Sequence, residues 1–476
     1  MKHLSYVVIL LIAPMLSFLS PNETSAAGVV GAGTPDSCTE AALNAALAGG
    51  GSVTFDCGTS PVTITVTAMV TITAGEGVPA TSMDGGGLVN ITSSDCVPNP
   101  IGFGCHPVRA FFVPVGGNLV VSNLSFNGEA ISNYGEASVT NSAFSGKPRF
   151  GAITNSGTLS VTNSTFTRNV PRDDGGISGR AIYNQGIRVG GSVRGPGKLT
   201  VTNCTFSGNS TNDLGGGAIL NVGGKVTVSN SAFTGNSADA GDGRWTYGGA
   251  IASTNRGKLT VSNSIFAANT ASASGGAISN AGLSWTGARP RNGRLTVTNS
   301  TFFDNACTGD GCWGGAIDNA GPLEVTNCTF SNNSVSINNG QGGAIAHGPS
   351  GRATIRNTIF AASRGAGNCH SPYGHLKDGG HNLDAGATCG FTAAGSLSNT
   401  DPQLDPAGLV DNGGPTQTIA VQAGSPAINA GDAAVCKKVL NNLDQRGYVR
   451  PGTGATACTI GAYEFNSPGP PSTPTS

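Results

Sequence analysis

Lys198-Leu199-Thr200-Val201-Thr202-Asn203-Cys204-Thr205-Phe206-Ser207-Gly208-Asn209 decides the fold, because it is one copy of a phrase that recurs along the chain. The phenylalanine of that phrase returns at 126, 144, 166, 206, 233, 266, 302 and 330, with a last aligned copy at 360. A second element, Gly-Ala-Ile, returns at 151–153, 217–219, 249–251, 276–278, 315–317 and 343–345. The spacing between phenylalanines varies, from 22 residues (144 to 166) to 40 residues (166 to 206). A fixed short unit with variable insertions is the mark of a solenoid whose loops differ in length.

Within Lys198–Thr202 the period is two, with Leu199 and Val201 on one side and both threonines on the other. Leu259–Ser262, Leu295–Thr298 and Leu323–Thr326 read the same way. Asn-x-Gly steps bound these short strands, and glycine there is expected to accept positive φ. A coil of several short strands with no helical pattern stacks into a parallel β-helix. Leu, Val, Ile and Phe then fill the inside and asparagines ladder at the corners, one coil per ~4.8 Å.

Composition agrees. Glycine is 74 of 476 residues, while charged residues are only 11%, against ~25% in ordinary globular chains. Twenty-five Lys and Arg against 26 Asp and Glu give a net charge of −1, so overall charge offers no case for nucleic acid. Collagen is excluded because glycine has no three-residue period.

Met1-Lys2-His3, the apolar run Tyr6–Leu19 and the small residues Ser25-Ala26-Ala27 predict a secretory signal over residues 1–27, cleaved before Gly28. No later segment is apolar enough to span a bilayer. Twelve cysteines in an exported chain point to disulfides. Spacing pairs Cys38 with Cys57, Cys96 with Cys105, Cys307 with Cys312, Cys369 with Cys389, and Cys436 with Cys458. Cys204 and Cys328 occupy one place in two copies four coils apart, about 19 Å at that rise. A disulfide needs Cα atoms within ~7 Å, so both are expected as free thiols.

The chain divides at this level into a cap and irregular coils (28–120), regular repeats (121–363), a loop-rich C-terminal cap (364–466) and a Pro/Ser tail (467–476). Cys38–Leu47 is the one clear helical stretch and is expected to plug the first coil.

The Gly-Gly-Ala-Ile and Phe-x-x-Asn elements, as in Phe206–Asn209 and Phe266–Asn269, resemble the repeats of chlamydial polymorphic outer membrane proteins. The end of the chain resembles bacterial choice-of-anchor Q surface proteins. The matching segments include Asn382-Leu383-Asp384, Asp411–Thr416, Gly424–Ile428, Asp444-Gln445-Arg446-Gly447 and Ile460–Glu464. The resemblance implies an all-β fold, a right-handed single-stranded parallel β-helix of the pectate-lyase-like superfamily, secreted or at a bacterial surface. It implies little chemistry. No run of ~10-residue alternating strands suited to a membrane barrel follows the repeats, and release into the medium is expected.

A lyase needs a base plus a group that neutralises the uronate, and a hydrolase needs two carboxylates ~5–9.5 Å apart. The outward strand positions are instead mostly Thr and Ser, from Thr162 through Thr200, Thr227, Thr260 and Thr296, with Glu324 the carboxylate exception. The insertions carry the aromatic residues. Trp245 and Trp313 lie in loops after Phe-x-x-Asn, Trp285 in a loop after Asn280, with Arg244, Tyr247, Arg289, Arg291 and Asp310 around them. Exposed aromatics flanked by polar groups stack on sugar rings, whereas the plainer reading has each Trp cover a coil and anchor its loop. Asp173-Asp174, beside Arg172 and Arg180, reads as a solvated turn rather than a calcium site. Cys369-His370 with His375 and His381 reads as a loop rather than a zinc set. No cofactor or metal is expected; Ca²⁺ is the one ion left open, and no motif supports it. The expected function is that of a secreted or cell-surface monomeric scaffold for binding or adhesion, towards a polysaccharide or cell-surface glycan. The alternative is a polysaccharide lyase or glycoside hydrolase with its site in the insertion loops.

Overall fold

The computed structural model describes residues 26–75, 77–94, 97–98, 105–106, 108–171, 180–189, 192–241, 245–281 and 293–471. The repeats wind into a parallel β-helix. Each coil contributes a strand such as Lys258–Ser262, a sharp corner at Asn263, then Ile265–Ala267, Thr270–Ala271 and Ile278–Asn280. Equivalent strands of successive coils pair in parallel and in register, with Leu199 beside Val226, Leu259 and Leu295, and Phe206 beside Phe233 and Phe266. The first two strands of each coil form a 24-stranded sheet, the fourth an 11-stranded sheet and the third a five-stranded one.

The alternation read from Lys198–Thr202 places Leu199 and Val201 inside, at 1% and 0% exposure. The nine phenylalanines form one continuous stack through the core, each ring parallel to the next at 4.6–4.9 Å. Offset from the stack runs a buried amide ladder. The Asn169, Asn209, Asn236, Asn269 and Asn305 side chains each donate Nδ2 to the next coil's Oδ1 at 2.8–2.9 Å, ending on Asn333. Asparagine offers a donor and an acceptor in one short planar group, so the same residue satisfies each interior rung, while Asn169 Oδ1 at the start of the ladder has no partner. A second ladder runs Asn133–Asn155–Asn184–Asn221 at 2.7–2.8 Å.

The corner asparagines do something different. Asn163, Asn203, Asn230, Asn263, Asn299, Asn327 and Asn357 all hold φ between 43° and 53°, the left-handed region that asparagine tolerates best after glycine. Positive φ falls on the first glycine of Gly-Gly-Ala-Ile, at Gly216, Gly248, Gly275, Gly314 and Gly342; of the Asn-x-Gly glycines Gly223 holds it, at 72°, whereas Gly135, Gly157, Gly257 and Gly321 do not. Those are required for another reason: a Cβ at Gly157 would strike the carbonyl oxygen of Gly135 in the coil before.

The helix near the start spans Glu40–Leu47, with Leu43, Ala46 and Leu47 buried and the Thr39 side chain accepting from Ala42 N. The Glu40 carboxylate accepts from Thr67 N at 2.6 Å and from the Thr67 hydroxyl at 2.7 Å. A second helix, Ala433–Leu440, starts on Asp432. Sequence reading missed it because its eight residues lie in a segment with no periodic pattern around it.

Residues beyond 363 do two things. Cys369–His370, Leu376–Asp378, Leu383–Asp384 and Leu397–Ser398 continue the stack. The chain then returns along the side of the rod. Thr416 Oγ1 donates to Asn263 O, Asn299 Nδ2 to Leu443 O, and Gly461 N to Asn357 O. This return buries Ile265, Thr301, Thr329 and Ile359, while Thr165 and Thr205 at the same position in earlier coils stay exposed. It is pinned from within by the fully buried pair Arg450–Glu464 (3.1 Å) and by Arg446, which grips Asp444 at 2.7 Å and lies over the rings of Tyr463 and Tyr448.

Cys38–Cys57, Cys369–Cys389 and Cys436–Cys458 are disulfides. Cys96 and the side chain of Cys105 lie outside the described residues. The expected Cys307–Cys312 bond is corrected: both are free and buried, packed with Val335 and joined by a thiol hydrogen bond. Sequence spacing brought the two thiols together, but they meet as hydrogen-bond partners in an apolar pocket. Cys204 and Cys328 are free and buried. Each stands where serine stands in other coils: Cys204 N donates to Ser231 Oγ, as Ser231 N does to Ser264 Oγ.

Candidate functional site

The insertion loops leave the helix between the five-stranded sheet and the Gly-Gly-Ala-Ile turn. Backbone bridges there join Gly215, Tyr247, Ser274, Trp313 and Gln341 in one column. Tyr247 and Trp313 are therefore two coils apart with Ser274 between them. Thr246 N-terminal to that column is buried, its hydroxyl bonded to Ala238 O and within 2.8 Å of Ser272 Oγ.

This anchoring turns Trp245 outward. Its side chain is 75% exposed, the most exposed large aromatic among the described residues. Beside it lies a cleft of about 290 Å³ lined by Asp239, Trp245, Ser272, Ala273, Gly309, Asp310 and Gly311. Asp239 and Asp310 are both exposed. Asp239 Oδ1 accepts from Gly241 N at 3.0 Å, and Asp310 Oδ1 from Asn338 Nδ2 at 3.0 Å. Gly311 N donates to Asn338 O at 2.7 Å, so the loop carrying Asp310 is tied to the next coil.

The expected cluster is only partly assembled. Trp245 and Asp310 share the cleft. Trp313 does not: it is half-buried and meets His370 edge-on at 5.2 Å. Tyr247 is half-buried above Asp318, and burial with the nearby carboxyl pushes its hydroxyl up. Arg244, Trp285, Arg289 and Arg291 lie outside the described residues, as do Asp173 and Asp174. Arg180 is buried, bound to Thr211 Oγ1 at 3.1 Å and to Asp213 at 3.4 Å. Sequence reading missed Asp239 and Asn338. Both follow the Phe-x-x-Asn strand in their own coils, a placement the repeat alignment could have flagged.

One buried carboxyl was also missed. Asp318 occupies the outward position of Ile317–Asn319 but is roofed by the loop column and is 6% exposed. Burial pushes it up to about 7, partly offset by the Ser274 hydroxyl. Among the described residues no group of three or more His, Cys, Asp or Glu is arranged to hold a metal ion. Among them, too, no helix is long and apolar enough to cross a membrane.

Residues 170–369 match the family described as right handed beta helix region. No curated protein sequence gives a significant match. Similar solved structures include pectate lyase Pel9A, 14% identical with a TM-score of 0.42 over 87% of both chains. PfbA, a surface adhesin of Streptococcus pneumoniae, is 11% identical with a TM-score of 0.41 over 72% of this chain and 91% of its own. Alginate lyase AlyF-OU02 in complex with G6 is 13% identical with a TM-score of 0.34, covering 76% and 78%. At these identities the likeness concerns the fold alone, and the fold is a right-handed parallel β-helix.

Proposed function

We propose that this chain is an exported, extracellular scaffold that binds glycans at the cleft beside Trp245. The observation that carries the reading is one exposed tryptophan, 75% open, that lines a cleft with two exposed carboxylates, Asp239 and Asp310. An indole left in water on a rigid support is suited to stacking on the apolar face of a pyranose, and carboxylates accept hydrogen bonds from ring hydroxyls. Two carboxylates at the rim also disfavour acidic sugars, so neutral glycans are the expected ligands. Export is supported by three disulfides, which persist in oxidising compartments, and by the signal-like residues 1–27.

The test is retention on immobilised neutral glycans, with melting followed in parallel. Trp245→Ala and Asp310→Asn are expected to abolish retention and leave the melting temperature within a degree or two. Wild-type protein that passes through every glycan column, or variants that lose folding together with retention, would overturn the reading.

A second reading has one observation in its favour: Asp239 and Asp310 line the same cleft, as a glycoside hydrolase's carboxylates do. Neither is buried, whereas a general acid is typically made by burying a carboxyl. New reducing ends from neutral polysaccharide, lost in Asp239→Asn and Asp310→Asn, would move the assignment to hydrolysis.

A further inference from the structure

The ladder that begins at Asn133 continues past Asn221. Asn221 Nδ2 donates to Ser253 Oγ at 3.1 Å, and after that break Asn280 Nδ2 donates to Asn319 Oδ1 at 2.6 Å. Strand register makes His347 the next rung, as the partner of Asn319, with its ring buried at 0% exposure. A titratable ring thus stands where the preceding coils hold Asn or Ser.

The direction of the ladder settles which protons the ring carries. Asn319 Nδ2 donates to Gly321 O at 2.6 Å, which fixes the amide with Oδ1 towards Asn280 and Nδ2 towards His347 Nδ1, 3.0 Å away. Asn280 is fixed in the same way, since its Nδ2 donates to Gly293 O at 3.0 Å. A donor already faces Nδ1, so Nδ1 must accept. The ring proton then sits on Nε2, 3.3 Å from Gly351 O. An imidazolium donates from both nitrogens and would set Nδ1–H against the Asn319 N–H.

Among the described residues no carboxylate acts on this ring. Burial lowers its affinity for a proton, the main-chain bonds to Gly351 and Asn319 offset part of that, and His375 lowers it further. Arg352, one residue beyond Gly351, is exposed. Asp318 sits on the opposite side of its strand from Asn319. The rung also lies at a joint. Ala344 N and Ile345 N both donate to Asn368 O, at 2.9 and 3.0 Å, and Ala346 pairs with His370. Ser371 Oγ, next in line, is buried without a partner, so the ladder stops at His347.

We propose that His347 is an acid-sensitive latch: neutral, it closes the amide ladder, and on taking a second ring proton it releases the joint between Ile345–His347 and Cys369–His370. The latch lies inside the rod and stands whether or not the Trp245 cleft binds glycans.

The test uses the full chain, wild type beside His347→Asn and His375→Gln, in urea melts from pH 8 down to pH 5. Asparagine restores an acceptor for Asn319 Nδ2 and takes no charge. The unfolded chain takes the proton near the ordinary 6.5 and the folded chain only below it, so stability is full above 6.5 and is lost as pH falls. Asp318 is common to these proteins and drops out of the comparison. The unfolding constant of wild type relative to His347→Asn is expected to be flat above pH 6.5 and to rise by up to ~tenfold per pH unit below it. His375→Gln should keep that rise. In hydrogen exchange, the wild-type amides of Ala344 and Ile345 should lose protection at pH 5 while those of Ile219 and Ile251 keep theirs. A flat ratio, or protection lost equally along the rod, would overturn the proposal. If His347→Asn does not fold, nitrogen NMR of the wild-type ring decides. A proton on Nε2 alone at pH 6.5 supports the latch, and a proton on Nδ1 overturns it.

Discussion

The hydroxyl of Thr301 donates to Gln445 Oε1 at 2.7 Å, joining residues 144 positions apart in sequence. Gln445 Nε2 turns back to Thr416 Oγ1 at 2.9 Å and to Gln417 O at 3.0 Å, so one amide staples the returning chain to the rod. All of its side-chain bonds are inside the protein. Gln445→Ala would leave the buried Thr301 hydroxyl without a partner, while Thr416 keeps its bond to Asn263 O, and is expected to cost on the order of 2 kcal/mol, an unpaired buried group counting for ~1–3 kcal/mol. Urea melts read this directly. A loss below about 1 kcal/mol would mean that water replaces the amide.

Asn236 is a middle rung of the buried ladder. Its Oδ1 accepts from both the main chain and the side chain of Asn209, and its Nδ2 donates to Phe206 O and Asn269 Oδ1. Asn236→Ala therefore strips four bonds in two neighbouring coils and is expected to destabilise more than Phe266→Leu, which keeps most of the apolar volume. If the two variants melt together, ring stacking and not the amide ladder holds the coils.

The coil interior was legible in the sequence because a stack repeats one environment. Leu199, Val201 and Phe206 each meet their own counterparts, so a local pattern stands for a tertiary contact. The left-handed corner at Asn203 was not read from it, since positive φ was expected on the glycine of Asn-x-Gly. The pattern also fails where contacts are not between equivalents. Nothing in Asp444–Gly447 announces that it folds against Asn299 and Thr301, and nothing near Trp313 announces His370, because both depend on how long segments return across the rod. The Trp245 cleft was half legible: the insertion, its indole and Asp310 were readable, Asp239 went unread within the same insertion, and Asn338 reaches Asp310 from the next coil.

Cys204 and Cys328 should be silent thiols. Burial pushes Cys204 up to about 11 and Cys328 up to about 12, and only the thiolate reacts. Alkylation of the native protein at pH 8 is expected to leave both unmodified, with peptide mass spectrometry as the readout. Denaturant without reductant should expose both to full labelling. Rapid native labelling at either position would mean that its coil opens.

Asp318 should make stability depend on pH in an unusual direction. Burial, partly offset by Ser274, raises its carboxyl from the ordinary 3.8 to about 7. The unfolded chain releases this proton near pH 4 while the folded chain keeps it to about 7. The stabilisation is thus complete below pH 4 and is lost as pH rises through 7. Three pH units at ~1.4 kcal/mol each put the loss on the order of 4 kcal/mol. Asp318→Asn cannot ionise and keeps an oxygen for the Ser274 hydroxyl. Its stability relative to wild type is expected to climb between pH 4 and 7 and to level off above, as measured by urea melts at pH 4, 5.5, 7 and 8.5. Parallel curves for the two proteins would show that Asp318 is already ionised in the folded state, with a counter-charge or water beneath the Tyr247–Trp313 loops.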